Sequence, residues 1–186
     1  CTIWIIILRG EKVDLTKGTN LSKIMVGLGW DTNKYKGTAD FDLDVSAFLL
    51  NDREIVTEEI DLVFYNNLVS RNRAVVHTGD NRVGGSDDND EEITVDFSKI
   101  PEDIVRVVFV VTIHEASERK QNFGLVDNAY INVMDMDWYK ELLEYVLTDD
   151  FGVETSVIIA ELYKSGRDWK FKAVGEGLQK DLSDLC

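Results

Sequence analysis

The run Val105 to Ile113 constrains the fold most, because only Arg106 and Thr112 interrupt an otherwise apolar, β-branched segment. Such a strand presents apolar side chains on both faces and needs cover on both, which places it centrally in a sheet. Shorter runs of the same character recur between Asn, Asp and Gly turns. They are Ile3 to Leu8, Ile24 to Trp30, Phe41 to Leu50, Ile60 to Tyr65, Ala74 to His77, Glu92 to Asp96, Ala129 to Met134, Leu142 to Leu147, Val157 to Tyr163 and Trp169 to Val174. Many short strands with frequent turn signals predict a mostly β chain folded as a two-sheet β-sandwich. Gly166 can supply the positive φ of a tight hairpin between the last two runs. A few short helices are expected, one near Ser117 to Gln121 and one at the C-terminus, where Leu178, Leu182 and Leu185 share a helical face. Trp4, Trp30, Trp138 and Trp169 are expected to pack the core or its rim.

Proline occurs once, at Pro101, and no Ser/Gly-rich linker interrupts the 186 residues, so residues 1–186 read as a single domain. The apolar start Ile3 to Leu8 is too short to span a bilayer and lacks a basic flank, so no direct membrane insertion is expected. Cys1 and Cys186 form no CxxC pair and have no histidine near them, which argues against zinc and against a disulfide framework and fits a cytoplasmic protein.

Charge is the second constraint. Thirty-five acidic against 20 basic residues give a formal charge of -15, which repels a nucleic-acid backbone and attracts cations. The acids cluster. Asp80 to Glu92 holds Asp80, Asp87, Asp88, Asp90, Glu91 and Glu92, with Asn81 and Asn89, against Arg82 alone. Calcium takes about six to eight oxygen ligands from carboxylates, amides and backbone carbonyls, and Gly84 and Gly85 let the backbone turn its carbonyls inward. The spacing is not that of an EF-hand. In Asp40 to Ser46, alternation puts Asp40, Asp42 and Asp44 on one face of a strand, a row that needs water or a counterion. A solvated outer face explains that strand equally well when it is taken alone. Asp31 and the Asn66-Asn67 pair offer further oxygens, or simple turn chemistry.

Several segments together resemble the TerD family of tellurium-resistance and stress-response proteins. They are Lys12-Val13-Asp14-Leu15-Thr16-Lys17, Val26-Gly27-Leu28-Gly29-Trp30-Asp31, Phe41-Asp42-Leu43-Asp44, Phe64-Tyr65-Asn66-Asn67, His77-Thr78-Gly79-Asp80-Asn81-Arg82, Gln121-Asn122-Phe123-Gly124, Glu161-Leu162-Tyr163 and Trp169-Lys170-Phe171. The resemblance implies a cytoplasmic β-sandwich that binds two calcium ions at neighbouring acidic sites. It carries over Asp31, Asp42, Asp44, Asn66, Asp80, Asn81, Asp87, Asn89, Asp90 and Glu91 as ligands, and leaves Asp88 and Glu92 as bystanders. The chain departs from the family pattern at Val83, Gly85-Ser86 and Asp88-Asn89, and its first strand is less polar.

The leading expectation is a non-enzymatic calcium-binding interaction module whose partners are other tellurium-resistance or stress-response proteins. A metal-dependent phosphoester hydrolase at the same acids is the alternative, with His77 or His114 as general base. A third reading takes the acids as solubility charge alone.

Overall fold

Alternation decides which side chains meet across the sandwich. The computed structural model describes residues 5–31, 43–79, 91–113, 127–147 and 154–179. In chain order the strands are β1 (Ile5–Ile7), β2 (Lys12–Asp14), β3 (Lys23–Asp31), β4 (Leu43–Leu50), β5 (Leu62–Val63), β6 (Val75–Gly79), β7 (Glu91–Asp96), β8 (Arg106–Ile113), β9 (Asp127–Asp135), β10 (Lys140–Val146), β11 (Ser156–Ser165) and β12 (Asp168–Leu178). Three short 3-10 turns lie at Glu59–Asp61, Arg71–Arg73 and Phe97–Lys99.

The strands form two six-stranded sheets. The first runs β1-β10-β9-β3-β7-β6 and the second β2-β12-β11-β8-β4-β5. Every pairing is antiparallel except that of β1 with β10. Ile24, Val26 and Leu28 of β3, Ile93 and Val95 of β7, and Ile131 and Val133 of β9 meet Leu43, Val45, Ala47 and Leu49 of β4 and Val107, Phe109, Val111 and Ile113 of β8 in one buried core. β8 lies between β4 and β11, as its sequence predicts.

One irregularity keeps this core continuous. Around Ile159 the register of β11 shifts against both β8 and β12, so Val157 and Ile159 face inward before the bulge and Ala160 and Leu162 after it. A strict alternation would have turned one half of β11 outward.

Four expectations are corrected. Leu178 is the last residue of β12, paired with Ser156, and so does not begin a helix; residues 180–186 lie outside the described residues, as does the helix expected at 117–121. The strand expected over Ile60 to Tyr65 shrinks to Leu62–Val63, because a 3-10 turn occupies Glu59–Asp61 and a bridge closes Phe64 on Asn67. Lys12–Asp14 is an additional edge strand, paired with β12. Trp169 is buried against Phe97 and Trp30 packs on the core, but Trp138 is 80% exposed. Trp4 lies outside the described residues.

Candidate metal centre

Strand register brings the borders of the acidic segments to one end of the sandwich. In the first sheet Asp31 pairs with Asp127, Leu28 with Glu91, and Gly79 with Glu92. In the second, Leu43 pairs with Ile113, and Ser156 with both Thr112 and Leu178. The connections 32–42 and 80–90 both leave and re-enter the fold at this end.

Glu91 ties the two sheets together there. It shares the inward face of β7 with Ile93 and Val95, and its side chain is almost fully enclosed. β5 covers β4 only at Ala47 and Phe48, so the Val45 N–H lies beyond the reach of that neighbouring strand. The Val45 N–H instead donates to Glu91 Oε2 at 2.5 Å. A buried amide needs an acceptor, and an ionised one bonds it more strongly than a carbonyl. His77 Nε2 stands 3.6 Å from the same oxygen, and His77 is 5% exposed. A general base needs contact with substrate and water; His77 is enclosed in the sandwich and serves there as a partner of Glu91. His114 lies outside the described residues.

Glu92, the next residue, faces the opposite way. It is buried on the outer side of the first sheet, where it and Asn132 flank Gly27. Neither residue stands out in the sequence as a buried polar group. The one signal is their phase, since each alternates with inward-facing apolar neighbours.

Of the residues predicted as ligands, Asp44 is the second residue of β4, half-buried and opposite Thr112. Asn66 sits in the exposed turn between Phe64 and Asn67, which Asn67 pins by donating to Ile60 O at 2.9 Å and Leu62 O at 2.7 Å. Asp31 ends β3. Asp42, Asp80, Asn81, Asp87, Asn89 and Asp90 lie outside the described residues. Among the described residues no group of three or more His, Cys, Asp or Glu is disposed to hold a metal.

A second charged network braces the neighbouring edge. Asp61 is fully buried and accepts from Arg71 Nε at 2.7 Å and from the Arg71 backbone N–H at 3.2 Å, while Arg71 also reaches Asp103 at 2.9 Å. The Asp103 hydrogen bond leads in holding the Arg71 guanidinium above its ordinary pKa, and Arg71 in turn holds the Asp103 carboxyl below its own. This fixes the segment that lies along β6 and so the position of His77. Cavities of about 520 and 650 Å³ lie elsewhere, around Phe48 and Leu50 of the second sheet, and neither has a histidine in its lining.

The TerD domain family model matches residues 4–186. The chain belongs to the TerD family. Among TerD relatives, "General stress protein 16U" of Bacillus subtilis (strain 168) is 47% identical over 96% of this chain and 93% of its own. "Tellurium resistance protein TerD" of Serratia marcescens is 42% identical over the same shares. A crystal structure of a homologue of telluride resistance protein (TerD) from Streptomyces coelicolor A3(2) superposes with a TM-score of 0.67 at 22% identity, covering 89% of this chain and 95% of that one. The two-sheet architecture is therefore that of a TerD fold.

Proposed function

We propose that this TerD-family chain is a calcium-binding stress-response protein, cytoplasmic and without catalytic turnover, whose ions sit at the acidic end of the sandwich. The convergence of strand ends carries the reading. Asp44 on β4 and Glu91 on β7 border the two acidic segments, and the Glu91 bond to Val45 holds those borders together across the sheets. The donors at these strand ends are hard carboxylate oxygens, which fit calcium and not a thiolate-seeking metal. Asp31, Asp42, Asp44, Asn66, Asp80, Asn81, Asp87, Asn89, Asp90 and Glu91 form the donor set for two ions, with Asn89 contributing a neutral oxygen. When bound, calcium would neutralise acids that otherwise repel one another. The names of the relatives place tellurium-resistance and general stress proteins in the family, and we take partners from the same response as the module's targets. Among the described residues no helix is long and apolar enough to cross a membrane.

Calcium titration calorimetry with a magnesium control tests this. Two bound ions are expected, with weaker magnesium binding because that ion demands a smaller octahedral shell. At calcium one hundred times Kd the native state gains about 2.7 kcal/mol by mass action, so chelator lowers the melting temperature. Identical melting in calcium and in chelator sinks the proposal, and so does unchanged affinity in the double variant Asp42→Asn, Asp90→Asn.

A further inference from the structure

Trp138 and Tyr139 are the two most exposed large apolar side chains among the described residues, at 80% and 68%. They stand together in the turn between β9 and β10, at the end of the first sheet opposite the acidic segments: Asp135 pairs with Ile24 near the start of β3, whereas Asp127 pairs with Asp31 at its end. The turn is fixed in that state. Asp135 Oδ1 accepts from the Asp137 N–H at 2.9 Å and the Trp138 N–H at 3.4 Å, the Met136 N–H donates to Lys23 O at 2.9 Å, and the Ser22 hydroxyl donates to Asp137 at 2.6 Å. Tyr139 has φ 51°, where a bulky side chain is strained and glycine is not. Strain of this kind persists where surrounding contacts impose it, and it gathers at ligand clamps.

Charge selects what the rings meet. Residues 135–144 hold Asp135, Asp137, Glu141 and Glu144 against Lys140 alone, four acids to one base and so a net charge of -3. No basic side chain among the described residues pairs with any of the four. Lys23 on the neighbouring strand lies opposite Asp96 in register and leaves the sum negative. A nucleic acid, an anionic lipid surface or a second copy of this chain, at formal charge -15, is repelled here. A guanidinium is attracted twice, by the carboxylates and by the faces of the aromatic rings.

We propose that this turn is a docking site for an arginine-bearing basic segment of another protein, with Trp138 and Tyr139 stacking on its guanidinium groups and the acids of the turn and of β10 neutralising them. Trp and Tyr are enriched among the side chains that carry most of an interface's binding energy. Because the turn is already ordered, docking forfeits little conformational freedom. The site lies at the far end of the sandwich from the proposed calcium ions and does not depend on them.

Hexa-arginine and hexa-lysine peptides titrated into the full chain by calorimetry, at about 0.15 M salt, test this. Hexa-arginine should bind the wild type about tenfold more tightly than it binds Trp138→Ala, a variant whose melting temperature is unchanged because Trp138 is 80% exposed. Tyr139→Gly should also weaken binding while melting no lower than the wild type, since glycine accepts the positive φ. Hexa-lysine, equal in charge but without a planar group to stack, should bind more weakly. Glu141→Gln should weaken hexa-arginine, whereas Glu59→Gln, the same loss of charge at an exposed site before β5, should not. The share of affinity that Trp138→Ala removes should be the same in saturating calcium and in chelator, so the outcome is separate from that of the calcium reading. Absent binding, equal binding by wild type and Trp138→Ala, or equal affinity for the two peptides overturns the proposal. Self-association of the wild type that Trp138→Ala abolishes assigns the rings to a second copy and overturns it as well.

Discussion

Replacing Glu91 isolates what one carboxylate does for the joint between the sheets. Its Oε2 takes the Val45 N–H at 2.5 Å and stands 3.6 Å from His77 Nε2, inside a nearly closed pocket. Glu91→Ala leaves a buried amide with neither a strand nor a side chain to accept from it, which costs about 1–3 kcal/mol. Glu91→Gln keeps an acceptor oxygen of similar reach and loses only the charge. Because a bond to a charged group contributes about 1.5–3 kcal/mol and a neutral one about 1, the amide variant should lose roughly 1 kcal/mol. For a domain of this size each kcal/mol moves the melting temperature by about 2–4 °C. Taking about 2 kcal/mol for alanine, its melting point falls by about 4–8 °C and that of glutamine by about 2–4 °C. Thermal melts and urea titrations in excess chelator read this difference with ion binding removed. An alanine variant within about 0.5 kcal/mol of wild type, the range of an ordinary surface change, would refute the reasoning. So would a glutamine variant as unstable as alanine, because the acceptor would then be irrelevant.

Two further outcomes follow from charged groups outside this joint. Arg71→Ala strands the fully buried Asp61 without its counterion, which should cost about 3–5 kcal/mol; Asp103→Asn, at a half-exposed partner, should cost far less, and denaturant titration of both variants checks the ranking. Burial, and secondarily Glu141, push the Glu144 carboxyl above its usual 4.5, so it adds stability below that pH and loses it as pH rises through the elevated value. Glu144→Gln should therefore melt higher than wild type at neutral pH and equally at strongly acidic pH, and paired melts at the two pH values decide it.

The sheets were legible because period-two alternation is a strong signal in strands such as β3, β4 and β8, each long enough to show it. β2 carries no such signal. Two of its three residues are charged, and it is a strand only because β12 offers it an edge. Trp138 misled for a related reason. A large aromatic in sequence implies burial, but the turn at Asp135 to Lys140 is fixed by its own backbone and carboxylate contacts, which no hydrophobicity pattern reports. At the candidate site, carboxylate density marked segments whose described borders meet at one end of the sandwich, yet density cannot say which face a side chain takes. Glu91 and Glu92 look alike in sequence, and strand phase sends one into the joint between sheets and the other to the outer face.

The bulge in β11 has a consequence for how this chain can change length. Against β8 the extra residue is Ile159 of β11, between Ile158 opposite Val110 and Ala160 opposite Phe109; against β12 the extra residue lies in β12, where Val174 and Gly175 separate Glu176 from Ala173. Deleting Ile159 would leave Val157, Ala160 and Leu162 in phase and regularise the pairing with β8, but it would widen the mismatch against β12 from one unpaired residue to two. Compensation would require a second change, in β12. The connections between strands can lengthen or shorten freely by comparison, so variation in this fold is channelled into the loops that border the carboxylates and kept out of the strands that aim them.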